Sequence, residues 1–519
     1  MPTPGPSPSA VPGLRRNMVT ICAMTATIMQ ALDTTIANVA LPYMQGTLSA
    51  SQDQINWVLT SYIVAAAIMT APVGWIANRF GRKNIFIVCS AGFTFASVLC
   101  GLAQDINQMV LFRLLQGVFG AALVPLSQAV MLDSYALHER AKAMSIWGMG
   151  VMMGPIMGPS LGAWLTETYS WHWVFFVNLP FGIFTVLGLV VFMDETRKDL
   201  NLRFDWFGFS ALAIAIGSLQ LALDRGEQLD WLESNEIIAE FIVSAIGFYY
   251  FIAHSFTTSK PFIQFALFKD RNFVGGCVFM AVMGLVLYST MALSSPFLQN
   301  VIGYPIITAG VLLATRGSGT FVAMMLVGRA MRFVEARTLI VTGLSLTAAS
   351  LFQMTGWTDQ TGVTEIVTVS IVQGFGFGLV FVPLSTVAFL TLPNHLRTDG
   401  TSMLTLMRNV ASSIGISIVI SQLTHGSARV YAVLSEHINP FNHALQMPNV
   451  RGMIDLSTDA GRALADALVK VQAQIIAFSQ DYQLVMIFIL VSIPLTVMIG
   501  STKATLRAQS APPDHAVIE

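Results

Sequence analysis

The stretch LLQGVFGAALVPLSQAV, Leu114–Val130, returns far down the chain as IVQGFGFGLVFVPLSTVAF, Ile371–Phe389. The Gln-Gly and Pro-Leu-Ser anchors recur, with one more residue between them in the second copy. A fainter echo links VGWIANRFGRK, Val73–Lys83, to VGRAMRFVEAR, Val327–Arg337. Both echoes fall in matching apolar runs of two halves. Parallel six-helix repeats that face one another across a central site are how many secondary transporters are built.

Composition agrees. Of 519 residues, 54% are hydrophobic and only 11% charged, and mean hydropathy is +0.66. Soluble globular chains are nearer a quarter charged, so the class is an all-α integral membrane protein. A helix needs about 20 apolar residues to span a bilayer. Fourteen such runs are read at 18–41, 55–77, 85–103, 108–132, 141–166, 171–193, 204–223, 236–256, 272–297, 305–327, 337–356, 364–391, 401–424 and 483–501. The seventh and eighth match neither repeat and read as an insert. The predicted organisation is a disordered tail (1–17), a six-helix bundle (18–195) and the two inserted helices with their linkers (196–260). A second six-helix bundle (261–505) carries an extramembrane loop at 425–482, and a second tail covers 506–519. An even count places both termini on one side. Nineteen of the 27 lysines and arginines lie on that side and five on the other, so the positive-inside rule makes it cytoplasmic.

Several chemistries are excluded. Net charge is −1, so no basic field points to nucleic acid. None of the seven lysines precedes Ser or Thr, so there is no Walker A loop for ATP. No metal-ligand spacing or catalytic triad appears, and the four cysteines sit in apolar runs as small hydrophobes. The protein is read as no enzyme, with no cofactor and no metal. An ion gradient is the remaining energy source, and its use requires a titratable group reachable from alternate sides.

Asp33, within QALDTTIANVALP (Gln30–Pro42), is that candidate. At 1.5 Å per residue it lies roughly 22 Å from the cytoplasmic end of the first run. Arg113, about five residues into the fourth run, falls at similar depth. Buried charges in a bilayer require a partner, and ionisable groups there are functional by default. The pair either relays protons or merely orients helices. The second repeat has Ser370 where the first has Arg113, and a one-sided arginine fits a relay better than a shared scaffold.

The motifs resemble the major facilitator superfamily, and within it the fourteen-span drug:proton antiporters of EmrB type. LDTTIANVALP (Leu32–Pro42) is similar to their first-span motif, GWIANRFGRK (Gly74–Lys83) to the loop motif after span two, and RLLQGVFGAA (Arg113–Ala122) to the fourth-span arginine motif. GPIMGPSLGAW (Gly154–Trp164) resembles the fifth-span antiporter motif. WHWVFFVNLPFG (Trp171–Gly182), LDRGEQLDW (Leu223–Trp231), LFKDRNF (Leu267–Phe273) and INPFN (Ile438–Asn442) resemble the EmrB branch. The resemblance implies the major facilitator fold and an inner-membrane exporter that exchanges protons for hydrophobic drugs. It also implies a periplasmic EmrA-like adaptor and a TolC-like outer-membrane channel as partners, and proton coupling at Asp33 and Arg113. Gating falls to Gly74, Asn78, Arg79, Gly81, Arg82, Gly154, Gly158, Pro159 and Gly162. The loop motif usually carries an aspartate where Asn78 stands, which puts the strength of that latch in doubt.

Gln30, Thr34, Asn38, Trp57, Tyr62, Gln116, Arg316 and Arg408 are candidates for the substrate cavity. Asp33 set against Arg113, Arg316 and Arg408 leaves about two positive charges unbalanced in the membrane. That balance favours neutral or weakly acidic hydrophobic substrates over dications, unless Arg316 and Arg408 hold backbone carbonyls or headgroups. A dedicated exporter of a fatty acid, lipid or other metabolite is the alternative reading.

Overall fold

The computed structural model describes residues 13–136, 139–196, 198–200, 202–258, 261, 263–393, 396–439, 441–443, 445–447 and 454–500. Every regular element among them is a helix, as hydrocarbon requires of backbone groups that must bond internally. Each expected run coincides with one helix or a tandem pair. In order, the segments are Gly13–Thr47; Gln52–Thr70 with Val73–Phe80; Arg82–Gly101; Ile106–Gly120 with Leu123–Ser134; Arg140–Thr168; Trp173–Phe176 with Asn178–Phe192; Trp206–Arg225; Asn235–Thr257; Arg271–Pro296; Ile306–Ala330; Ala336–Met354; Val363–Val387; Arg397–Glu436; and Asp459–Ser492. Eleven are long and apolar enough to cross a membrane, or twelve if the second segment, bent by 56°, counts as one. The fifth and eleventh are not among them.

Side-chain caps fix several starts. Ser51 and Gln54 form a capping box on the second segment. Asp105 accepts from Gln108 N at 2.9 Å to open the fourth, and Asp270 accepts from Asn272 N and Phe273 N to open the ninth. Packing then repeats between halves. The first segment lies on the fifth and sixth, the second on the fourth, and the third on the fourth and sixth. Likewise the ninth lies on the thirteenth and fourteenth, the tenth on the twelfth, and the eleventh on the twelfth and fourteenth. Phe297, Trp357, Phe478 and Tyr482 lock the ninth, eleventh and fourteenth together through edge-on and tilted ring contacts. The inserted seventh and eighth segments pack on each other, and the seventh also touches the second and the thirteenth.

Two boundaries differ from the sequence reading. The first helix starts at Gly13, inside the tail expected at 1–17; residues 1–12 and the tail from 506 lie outside the described residues. The thirteenth helix continues to Glu436, and the fourteenth begins at Asp459, inside the loop expected at 425–482. Forty residues of helix measure roughly 60 Å against a hydrocarbon core of about 30 Å, so part of this helix stands clear of the bilayer. Its end is tied to the fourteenth by a Tyr431–Asp466 hydrogen bond. The mixed-polarity segment read as lying outside the membrane, with helical periodicity in GRALADALVKVQAQIIAFSQ, here supplies the flanks of two paired helices.

Candidate functional site

Asp33 sits mid-helix on the first segment and is fully buried. Arg113 and Gln116, one turn apart on the fourth, both reach it. Arg113 Nη1 donates to Asp33 Oδ2 at 2.7 Å and to Gln116 Oε1 at 2.8 Å, while Gln116 Nε2 donates to Asp33 Oδ1 at 2.8 Å. Asn178, at the start of the long helix of the sixth segment, donates to Asp33 Oδ1 at 3.2 Å and to Ser97 Oγ at 3.0 Å. Arg113 Nε donates to the Val58 carbonyl of the second segment at 3.0 Å. The guanidinium stacks 4.3 Å from the Tyr62 ring centre and 5.6 Å from that of Phe175. Residues of five segments, Tyr62 and Phe175 among them, therefore gather around one carboxylate. A buried ion pair persists only when its remaining lone pairs and protons are also satisfied, and here three donors reach the carboxylate.

The other candidates divide. Gln30 Nε2 donates to the Tyr62 hydroxyl at 3.3 Å, so both belong to the surround of Arg113. Gln116 is part of the cluster itself. Thr34 bonds back to the Ala31 carbonyl of its own helix, and Asn38 is exposed; neither side chain is among the hydrogen-bond donors to Asp33. Trp57 lies under the Arg225 guanidinium, 5.3 Å from it, and so faces the insert. Arg316 and Arg408 are both buried, in the other half. Arg316 Nη2 donates to Ser294 Oγ at 3.3 Å, and Arg408 reaches Asn409 Oδ1 at 3.4 Å. The charge sum omitted Asp481 on the fourteenth segment, a further fully buried acidic residue in that half.

The expected gating residues gather at two places. Gly154, Gly158 and Gly162 bring the fifth segment onto the first, where added methyl groups would strike Ala31, Thr35 and Ile36. Thr35 Oγ1 donates to the Gly154 carbonyl at 3.0 Å across that contact. Pro159 lies within the same helix, which runs unbroken from Arg140 to Thr168. The second place is the end of the molecule rich in lysine and arginine. Gly81 adopts φ +92°, a backbone region that disfavours side chains, and a methyl there would meet the Glu195 carboxylate. Gly74 lies directly on Asp399 of the thirteenth segment and leaves no room for a side chain. Arg79 donates to the carbonyls of Leu200 and Leu202, and the Asn78 carbonyl accepts from Asp199 N. Arg82 pairs with Asp133, whose other oxygen accepts from Arg397 Nη1 at 2.7 Å. Asp133 thereby ties the two halves. Among the described residues Asn78 joins no ion pair, and the carboxylate that links Arg82 to Arg397 is Asp133, at the end of the fourth segment.

Sequence reasoning missed Asn178, Asp133 and Arg397. Asn178 was visible inside VNLPFG, a motif quoted only for its resemblance. Asp133 and Arg397 looked like ordinary charges at helix ends, and only the fold shows that they meet.

Residues 23–416 match the sequence pattern of the Major Facilitator Superfamily. The chain is 35% identical over 445 residues to the multidrug export protein EmrB of Escherichia coli (strain K12), covering 85% of this chain and 86% of that protein. It is 32% identical over 429 residues to the fatty acid resistance protein FarB of Neisseria gonorrhoeae, covering 82% and 84%. Among solved structures, the proton:xylose symporter XylE superposes with TM-score 0.58 at 13% identity, covering 93% of this chain and 96% of that one. The human organic anion transporter MFSD10 superposes at 0.56 with 12% identity, covering 91% and 99%. At such identities the structural likeness establishes the fold alone.

Proposed function

The chain belongs to the Major Facilitator Superfamily, and from that premise we propose that it is a proton-coupled exporter of hydrophobic compounds working by alternating access. The observation that carries the reading is the buried cluster around Asp33. A proton delivered to Asp33 removes the charge that holds Arg113, while Gln116 and Val58 still offer the arginine acceptors. Gln116 and Asn178 can stay bonded to the neutral acid. The contacts between the first, second, fourth and sixth segments thus loosen at one point without the cluster dispersing. Releasing the proton on the other side restores the pair. No cofactor is needed, because the proton gradient supplies the energy.

Substrates are neutral or weakly acidic hydrophobic drugs taken from the cytoplasm or the inner leaflet. The relative named for multidrug export supports the breadth, and the relative named for fatty acid resistance supports a narrower lipid-like cargo as the second reading. One charge moved through 100 mV is worth about 2.3 kcal/mol, and a proton entering while an anion leaves are both favoured by an inside-negative potential. The basic end, with Arg82, Arg397 and Asp133, faces the cytoplasm of a cell whose inner membrane holds the protein, and both termini lie on that side. The projecting ends of the thirteenth and fourteenth helices then face the periplasm, where an EmrA-like adaptor and a TolC-like channel would complete the route. Efflux of an anionic and a cationic dye from proteoliposomes, with the pH and voltage components collapsed separately, tests the substrate reading. Anionic efflux driven by both components is expected; preference for a dication would overturn it.

A further inference from the structure

The two bundles meet along two seams, and the seams are built differently. At the first, the second segment faces the thirteenth, and the inserted seventh lies over the join. Thr60 of one bank donates to Asp224 of the insert, while Gln220 Nε2 of the insert donates to Ser413 Oγ of the other bank at 2.8 Å. Ser417 Oγ donates to the Leu223 carbonyl at 2.6 Å, and Ala67, Leu212, Ile216 and Leu406 form an apolar cluster across the same three elements. An element bonded to both banks shuts this seam off from lipid.

At the second seam the fifth segment runs antiparallel to the tenth, with Gly310 on Ser160, Gly317 on Ile156 and Gly328 on Ser145. Among the described residues, neither inserted helix packs extensively on the fifth or tenth segment. At its basic end the seam opens into a cavity of about 500 Å³. Met149, Met325 and Phe333 supply apolar wall, and Lys142, Arg329 and Arg332 stand at the same opening. All three cations are exposed, and none has an ion-pair partner among the described residues. Methionine walls adapt to varied chains. Basic groups at a membrane surface attract anions from the leaflet they face. The volume is in the lower part of the range usual for small-ligand pockets and suits one chain better than two.

We propose that this cavity is the loading site for single-chain anionic amphiphiles, which reach it sideways from the leaflet at the basic end. The headgroup is held by Lys142, Arg329 and Arg332, and the chain lies among Met149, Met325 and Phe333. The insert makes this the seam open to lipid by closing the other. The inference rests on the exporter reading for its purpose, but its test reads binding without transport.

The full-length protein in phosphatidylcholine nanodiscs is labelled with a long-chain fatty carboxylate carrying a photoreactive group at its chain end, and the labelled peptides are identified by mass spectrometry. Labelling is expected on the peptides that carry Met149, Met325 or Phe333. Dodecyl sulfate should displace it and dodecyltrimethylammonium should not. The Lys142→Gln, Arg329→Gln, Arg332→Gln triple variant should lose more than about tenfold of the labelling. A Lys142→Arg, Arg329→Lys, Arg332→Lys variant should keep it, which separates charge from folding. Labelling elsewhere, equal displacement by the cationic detergent, or retention in the glutamine variant overturns the proposal. So does displacement by phosphatidylglycerol added to the nanodisc, which would make the cavity a resident-lipid site. A protein that exports but does not label also overturns it, whereas one that labels but fails to use protons refutes only the exporter reading.

Discussion

The fourth and twelfth segments share a sequence repeat and a packing pattern but not a chemistry. Gln116 bridges Asp33 and Arg113, and both carboxylate oxygens of Asp33 are bonded from other segments. Its counterpart Gln373 reaches only the Met354 sulfur at 3.8 Å, and its carbonyl oxygen has no partner. Ser370 stands where Arg113 does, and its hydroxyl is also unpaired. Arg316 Nε and both oxygens of Asp481, in the same half, find no hydrogen bond. One backbone plan therefore hosts a closed charge cluster in the first bundle, while the matching positions of the second, Ser370 and Gln373, join no ion pair among the described residues. A bundle held by a satisfied cluster changes state when one proton is added to it. A bundle of separate polar groups has no such single trigger.

Substitutions can break or sharpen that contrast. The largest effect is expected at Arg113→Ala, which leaves Asp33 buried beside two neutral donors. Breaking a buried pair in this way costs about 3–5 kcal/mol, so the purified variant should unfold at markedly lower temperature and lose gradient-driven efflux. Next, Gln116→Ala removes one donor from Asp33 and one acceptor from Arg113, and a loss of roughly 1–3 kcal/mol in stability is expected. Arg397→Gln severs the tie to Asp133 at the basic end. That pair is partly exposed, so about 1 kcal/mol or less is at stake. Cysteine-accessibility labelling should show up to about a fivefold shift toward the state open at the basic end. The smallest effect is expected at Gln373→Ala, under about twofold in transport, because its carbonyl oxygen already lacks a partner. If Gln373→Ala matched Gln116→Ala, the two halves would be equivalent and the contrast would fail.

Much of this was legible in the sequence. Fourteen helical segments, the repeat, and the meeting of Asp33 with Arg113 followed from apolar run lengths, recurring anchors and depth counted at a fixed rise. What was not legible depends on contacts between distant residues. Asn178 is one amide among many until the sixth segment is packed on the first. Trp57 lies near the cluster in sequence order, yet it serves the insert because Arg225 covers it. Asp481 escaped notice because it stands two residues before the run read at 483–501, although the helix that buries it starts at Asp459. The mixed composition between the last two runs hid how far the thirteenth helix continues, from 425 to Glu436, since propensity there is weak and pairing with a neighbour decides.

The central claim is that Asp33 carries the coupling proton, and everted vesicles carrying Asp33→Asn test it most directly. Asparagine keeps the shape and an acceptor for Gln116 but can neither take nor release a proton. The account predicts that efflux driven by a proton gradient falls to background, while downhill movement of the same substrate persists. Gradient-driven efflux at the unaltered rate would contradict it.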